Sequence, residues 1–153
     1  MERVLETSHQ IIFKNTKILT NDKRWIDKTI KVATWNVRGL AQKEMELAKE
    51  LANMKIDFAA IPETKKKKKG SKYVDEYMMF YSGVRQEQRA SKGIALYIHK
   101  KWEENIKNYE YINERIITSR IKSARGNVTL IAIYAPEEEK ADESKTFYKN
   151  YSL

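Results

Sequence analysis

The chain has 153 residues, 30 lysines and arginines against 21 aspartates and glutamates, a formal net charge of +9, two histidines and no cysteine. That length fits one ordinary domain or a piece of a larger one, with enough chain to bury a core. A disulfide framework and every thiolate metal site are excluded, a histidine-built zinc site is disfavoured, and so basic a surface favours a polyanionic partner. The longest apolar runs, residues 56–61, 93–98 and 128–135, fall far short of the ~20 residues of a membrane span. The first thirty residues carry Glu2, Glu6 and Asp22 and no small-residue cleavage pattern. The predicted location is therefore intracellular, nuclear or cytoplasmic, with neither secretion nor a membrane partner.

Residues 1–29 hold apolar pairs such as Val4-Leu5 and Ile18-Leu19 but no sustained period. They are expected to form an N-terminal extension, with a first strand or hairpin as the alternative. From residue 30 the signals sharpen. Residues 30–36 are rich in β-branched and aromatic side chains and end at a turn-prone Asn-Val-Arg-Gly, the pattern of a strand. Leu40, Leu47, Ala48, Leu51 and Met54 recur at helical spacing with polar residues between them, which predicts an amphipathic helix of about four turns. Residues 56–61 form a short continuous apolar run, as in a strand buried on both faces. Strand, helix, strand implies a crossover joining a parallel pair.

Beyond it the grammar changes. Residues 77–81, 93–99, 106–112, 116–122 and 127–134 read as strands separated by glycine-containing turns rather than helices. That run predicts a largely antiparallel meander. Residues 137–153 are polar and begin a helical pattern at Ala141, Lys145 and Phe147. The expected class is α/β with a mixed sheet, divided into an extension over 1–29 and a domain over 30–150.

Three segments end strands where a shared rim could form: Trp35-Asn36, Pro62-Glu63-Thr64-Lys65 and Tyr134-Ala135-Pro136. The order Thr-Trp-Asn-Val-Arg-Gly, Ile-Pro-Glu-Thr-Lys, Lys-Gly-Ile-Ala-Leu and Ile-Tyr-Ala-Pro resembles the endonuclease/exonuclease/phosphatase superfamily. It looks most like the apurinic-endonuclease-like domain of LINE-type retrotransposons and the host proteins of craniofacial development protein 2-like type. The resemblance covers residues 31 to about 150.

It implies the first portion of a two-sheet α/β sandwich that cuts phosphodiesters, DNA foremost and RNA left open, with magnesium or, in its place, manganese. By the same resemblance, Glu63 is the metal-binding carboxylate. Asn36 organises metal and phosphate and is counted with the catalytic groups, and Tyr134 contacts the reacting phosphate. These types suit the chemistry, since magnesium takes hard oxygen ligands and a phenol or amide orients a phosphate without repelling it.

The departures carry information too. Arg38 stands where repair enzymes of the superfamily have an acidic residue, a pattern of the retrotransposon branch, and Pro62 stands where glutamine is common. The superfamily continues with a Gly-Asp-Phe-Asn-like strand end and a late Asp-His pair that supply and orient the base. No Asp-x-Asn follows Tyr134 and no histidine follows His99. The expectation is a half-present site, weak or inactive alone, with a non-catalytic nucleic-acid-binding remnant as the alternative.

Plainer roles compete with each of these. Asn36 suits a turn, Glu63 a loop carboxylate and Tyr134 a core edge with a wetted hydroxyl. The run Lys65, Lys66, Lys67, Lys68 and Lys69 reads as a solvated, self-repelling loop, as a nuclear-localisation patch or as a phosphate grip beside Glu63. Lys72, Arg85, Arg89 and Lys92 extend the positive surface, and Arg38, Arg85 and Lys92 join the nucleic-acid-binding set. A domain lacking its second half would also expose sheet edges, through which chains could self-associate.

Overall fold

The computed structural model describes residues 9–19, 25–123, 126–136 and 149, with side chains from residue 30 onward. In chain order they form β1 (His9–Leu19), β2 (Trp25–Trp35), α1 (Glu44–Asn53), β3 (Phe58–Pro62), β4 (Lys69–Val74) and β5 (Tyr77–Ser82). There follow β6 (Ile94–His99), a 3-10 helix (Lys100–Asn105), β7 (Ile106–Asn113), β8 (Ile116–Ser123) and β9 (Gly126–Ile133). A six-stranded sheet runs in the order β1-β2-β3-β6-β5-β4, and a second sheet in the order β7-β8-β9. The fold is α/β with a mixed sheet.

β2 and β3 pair in parallel across the α1 crossover, and β3, β6, β5 and β4 pair antiparallel. Alternation along β3 and β6 sends successive side chains into two separate cores. Ala59, Ile61, Ala95 and Tyr97 pack with Leu47, Ala48 and Leu51 of α1 on one face. Phe58, Leu96 and Ile98 pack with Ile117, Ile121 and Ala132 of the second sheet on the other. The layers are helix, six-stranded sheet, three-stranded sheet. Strands buried on both faces cannot alternate polar with apolar, and β6 is accordingly Ile-Ala-Leu-Tyr-Ile-His with only His99 partly exposed.

Several expectations change. The helix occupies Glu44–Asn53 rather than about four turns from Leu40. Gln42 has φ +63, which no α-helical residue adopts, so Leu40 is buried by the turn before α1 instead of by its first turn. Within the expected N-terminal extension, residues 9–19 take the strand alternative: β1 pairs antiparallel with β2 over its whole length. β4, an edge strand on which only Val74 is buried, carried no periodic signal in the sequence. Apart from Lys149, the helical pattern of 137–153 lies outside the described residues. Among the described residues no helix is long and apolar enough to cross a membrane.

Candidate functional site

Asn36 and Glu63 each stand just past the carboxyl end of one of two adjacent parallel strands. The pairing Thr34↔Ala60 brings both chains out at the same level of the sheet. In open α/β sheets that rim is where ligands bind. Tyr134 arrives from the other sheet, one residue past β9. Its hydroxyl donates to Glu63 Oε1 at 3.2 Å, across 71 residues of sequence.

Asn36 is spent partly on its own turn: its Oδ1 accepts the Arg38 N–H at 3.0 Å. This Asx bond supports Arg38 at φ +49 and Gly39 at φ +116. Arg38 is exposed at the tip of that turn. The structure thus brings Glu63 and Tyr134 into contact, places Asn36 on the same rim and shows it working as a turn former.

Tyr134 is clamped by a residue that sequence reasoning missed. Arg115, only 6% exposed in the β7–β8 turn, donates from Nη1 to the Tyr134 carbonyl at 3.1 Å and stacks its guanidinium 4.8 Å from the Tyr134 ring centre. The Tyr134 N–H returns a bond to the Arg115 carbonyl at 2.8 Å. Planar stacking combined with a directed N–H is something arginine supplies and lysine does not. An arginine in an Asn-Glu-Arg turn looks solvent-facing in sequence, and only the packing of the second sheet buries it.

The loop leaving β3 is strained and pinned. Glu63, Lys65 and Lys68 all have positive φ, at +55, +54 and +61, and each such residue costs about 1–3 kcal/mol unless its surroundings hold it there. The surroundings do. Thr64, 1% exposed, donates its N–H to the Gly93 carbonyl at 3.1 Å and accepts the Leu40 N–H at 2.9 Å. A Cβ at Gly93 would lie 2.4 Å from Thr64 Oγ1, and one at Gly83 2.0 Å from the Lys66 carbonyl oxygen. Both positions need glycine so that the loop can approach so closely.

The lysine run is therefore no uniform solvated brush. Lys66 turns inward, with Nζ 2.5 Å from Glu44 Oε1 and 4.7 Å from the Tyr81 ring centre. Lys72 contacts the other Glu44 oxygen. Burial raises the Glu44 pKa, but hydrogen bonds and charge from these two lysines outweigh it and hold the carboxyl below its ordinary value. Lys67 bonds the Gln86 carbonyl at 2.9 Å. Lys69 opens β4, its ammonium 6.0 Å from the Tyr111 ring centre. Lys92 sits 4.0 Å from Glu114. Lys65, Lys68 and Arg85 are exposed, and Lys65 lies against the Asn36–Gly39 turn, its Cδ 3.7 Å from where a Gly39 Cβ would stand.

Glu63 and Asn36 offer one carboxylate and one amide oxygen, the hard donors of a cation that keeps most of its own water. No group of three or more histidine, aspartate or glutamate side chains that could hold a metal exists among the described residues. His99, the one histidine whose side chain is described, closes β6 opposite the base of β3. That is the far end of the sheet from Glu63.

The chain has relatives in sequence among known proteins. The sequence is similar to craniofacial development protein 2. It is 30% identical to the Bos taurus protein over 106 residues, 69% of this chain and 18% of that protein. With the Tragulus javanicus protein it is 29% identical over the same length. The chain thus spans less than a fifth of the length of these relatives. No family model matches it.

Proposed function

We propose that the chain carries part of a magnesium-dependent phosphodiester-cleaving site of the retrotransposon endonuclease type, within the endonuclease/exonuclease/phosphatase superfamily, and that it acts on DNA. One observation carries this: a carboxylate and a phenol 71 residues apart meet at 3.2 Å on the carboxyl rim of a parallel pair, with an asparagine amide on the same rim. Chance pairing of a strand-end tyrosine with a strand-end glutamate does not require the strained, glycine-pinned loop that presents Glu63.

In this site Glu63 holds the cation and Asn36 supports it. Magnesium, when bound, supplies positive charge against the negative charge that builds on a phosphate under attack. Tyr134, fixed by Arg115, turns its hydroxyl from Glu63 to a phosphate oxygen and orients the phosphorus for in-line attack by water. The water's oxygen bonds to phosphorus, the opposite P–O bond breaks, and the products are a phosphate monoester and an alcohol. The lysine and arginine side chains of the rim hold the polyanion in place.

A second function is favoured by one specific observation. His99 stands at the far end of the sheet from the Glu63–Tyr134 pair. A basic nucleic-acid-binding domain without catalysis has the same surface and needs no base.

Supercoiled plasmid with magnesium, beside a Glu63→Ala variant, separates the two. Nicking that disappears in the variant supports the hydrolase. Retarded plasmid with no nicking supports the binding domain. Neither nicking nor retardation at low salt refutes both.

A further inference from the structure

The sheet register places a second feature on the rim that holds Glu63. Pro62 of β3 pairs with Ile94 of β6, Ile94 with Ser82 of β5, and Ser82 with Lys69 of β4. These four residues form one row across the sheet. Beyond its far end lies a cleft of about 620 Å³, between the β4–β5 end of the large sheet and the end of β7. Lys68, Lys69 and Arg85 line it, with Tyr111 and Asn113 opposite. Ser82 Oγ donates to the Asn113 carbonyl at 2.7 Å and ties the two walls together.

Glu87 and Glu114 also line the cleft, against Lys68, Lys69 and Arg85, which leaves a formal excess of one positive charge. Neither Lys68 nor Arg85 makes an ion pair among the described residues. Glu114, on the opposite wall, faces Lys92. Two exposed cations that form no ion pair in an open polar cleft suit an extended anion, and the volume of about 620 Å³ is far larger than one phosphate ion needs. Two segments connect this cleft to the candidate site. The pinned loop runs from Glu63 to Lys68, and the β7–β8 turn runs from Glu114 to Arg115, the residue that clamps Tyr134.

We propose that this cleft holds backbone phosphates of a nucleic-acid strand whose reacting phosphate lies at Glu63 and Tyr134. It rests on the phosphodiester site proposed above and adds where the strand goes. From β3 to β4 the row spans three inter-strand spacings, roughly 14 Å. At about 3.4 Å of rise per step, that is roughly four nucleotides to one side of the reacting phosphate. Lys68 and Arg85 supply the phosphate contacts, and Lys69, seated on Tyr111, narrows the passage between the walls.

The test uses the full chain and a short fluorescein-labelled DNA duplex, with anisotropy read across a series of KCl concentrations. Lys68→Asn combined with Arg85→Gln removes both charges, and asparagine tolerates the left-handed backbone at position 68. Two lost phosphate contacts should flatten the slope of log K against log salt by about 1.8. Lys68→Arg combined with Arg85→Lys should restore the parent slope, and Lys107→Ala, on the exposed face of β7, should leave it near the parent value. Thermal melts of all variants confirm folding.

A slope unchanged in the charge-removing pair overturns the cleft and leaves the phosphodiester site standing. An equal flattening in Lys107→Ala reduces the cleft to general surface charge and also overturns it. No salt-dependent binding by the parent chain refutes both proposals.

Discussion

Asp57 allows a stability prediction worked bond by bond. It is 2% exposed at the entrance to β3. Its Oδ1 accepts the Trp102 indole N–H at 2.9 Å, its Oδ2 accepts the Lys31 backbone N–H at 2.8 Å, and Lys101 makes an ion pair with it. Trp102 in turn lies 5.1 Å, centre to centre, from Phe58 in the core between the sheets. Replacing Asp57 by alanine leaves its backbone bonds intact but takes the acceptor from two N–H donors. Each donor left unsatisfied costs about 1–3 kcal/mol. Lys101 is half exposed, so its pairing adds at most about 1 kcal/mol. Removing a buried anion recovers part of its desolvation cost.

The expected net loss for Asp57→Ala is about 3 kcal/mol, equivalent to a fall in Tm of about 6–12 °C for a chain of this size. Asp57→Asn keeps one acceptor oxygen but turns an NH2 toward the other donor, so it should lose about half as much. Urea denaturation gives the answer through the midpoint, with an unchanged m-value showing that only stability moved. DNA binding well below the melting range should be unaltered, because Asp57 sits at the opposite end of β3 from Glu63. An Asp57→Ala midpoint within about 1 kcal/mol of the parent, or an asparagine variant as damaged as the alanine one, would refute this account of the two donors.

Two further outcomes follow from the charges. The Glu44 carboxyl titrates below its ordinary value in the folded chain, so its stabilising effect is present above about pH 4.5 and fades as pH falls through the lowered value. Glu44→Gln should lose about 1 kcal/mol near neutrality, less where salt screens the half-exposed Lys72, and should lose less than the parent on acidification below pH 4.5; an identical acid limb in parent and variant would sink the idea. β9 contains no charged residue, exposes Ile131 and Ile133, and pairs along one side only among the described residues. Pairing between two copies along this strand should therefore raise the sedimentation coefficient with concentration, and Ile131→Lys should hold the chain monomeric. A parent that sediments as a monomer at every concentration rules that out.

Local chemistry made much of the fold legible. The strand at residues 30–36 and the apolar run at 56–61 are continuous enough to be recognised, and the helical spacing between them forces a crossover and hence a parallel pair. The five later strands announce themselves through β-branched residues and glycine turns. Edge strands are harder to see: β4 reads Lys-Gly-Ser-Lys-Tyr-Val because only its last residue must avoid water. A strand paired on one side and solvated on both faces imposes almost no pattern on its sequence.

The site divides in the same way. Sequence alone marked Asn36, Glu63 and Tyr134, because strand ends and turn residues are local features and their order along the chain resembles a known superfamily. It also established the excess of cations that suits a polyanionic partner. Only the tertiary structure decided which of them meet. The second sheet folds back to bring Tyr134 to Glu63, buries Arg115 behind it and turns Lys66 inward to Glu44, leaving Lys68 and Arg85 to line a cleft. Contacts between residues far apart in sequence leave no local signature. They arise when two faces of a sheet must both be covered, and the geometry of that covering assigns each charge its partner.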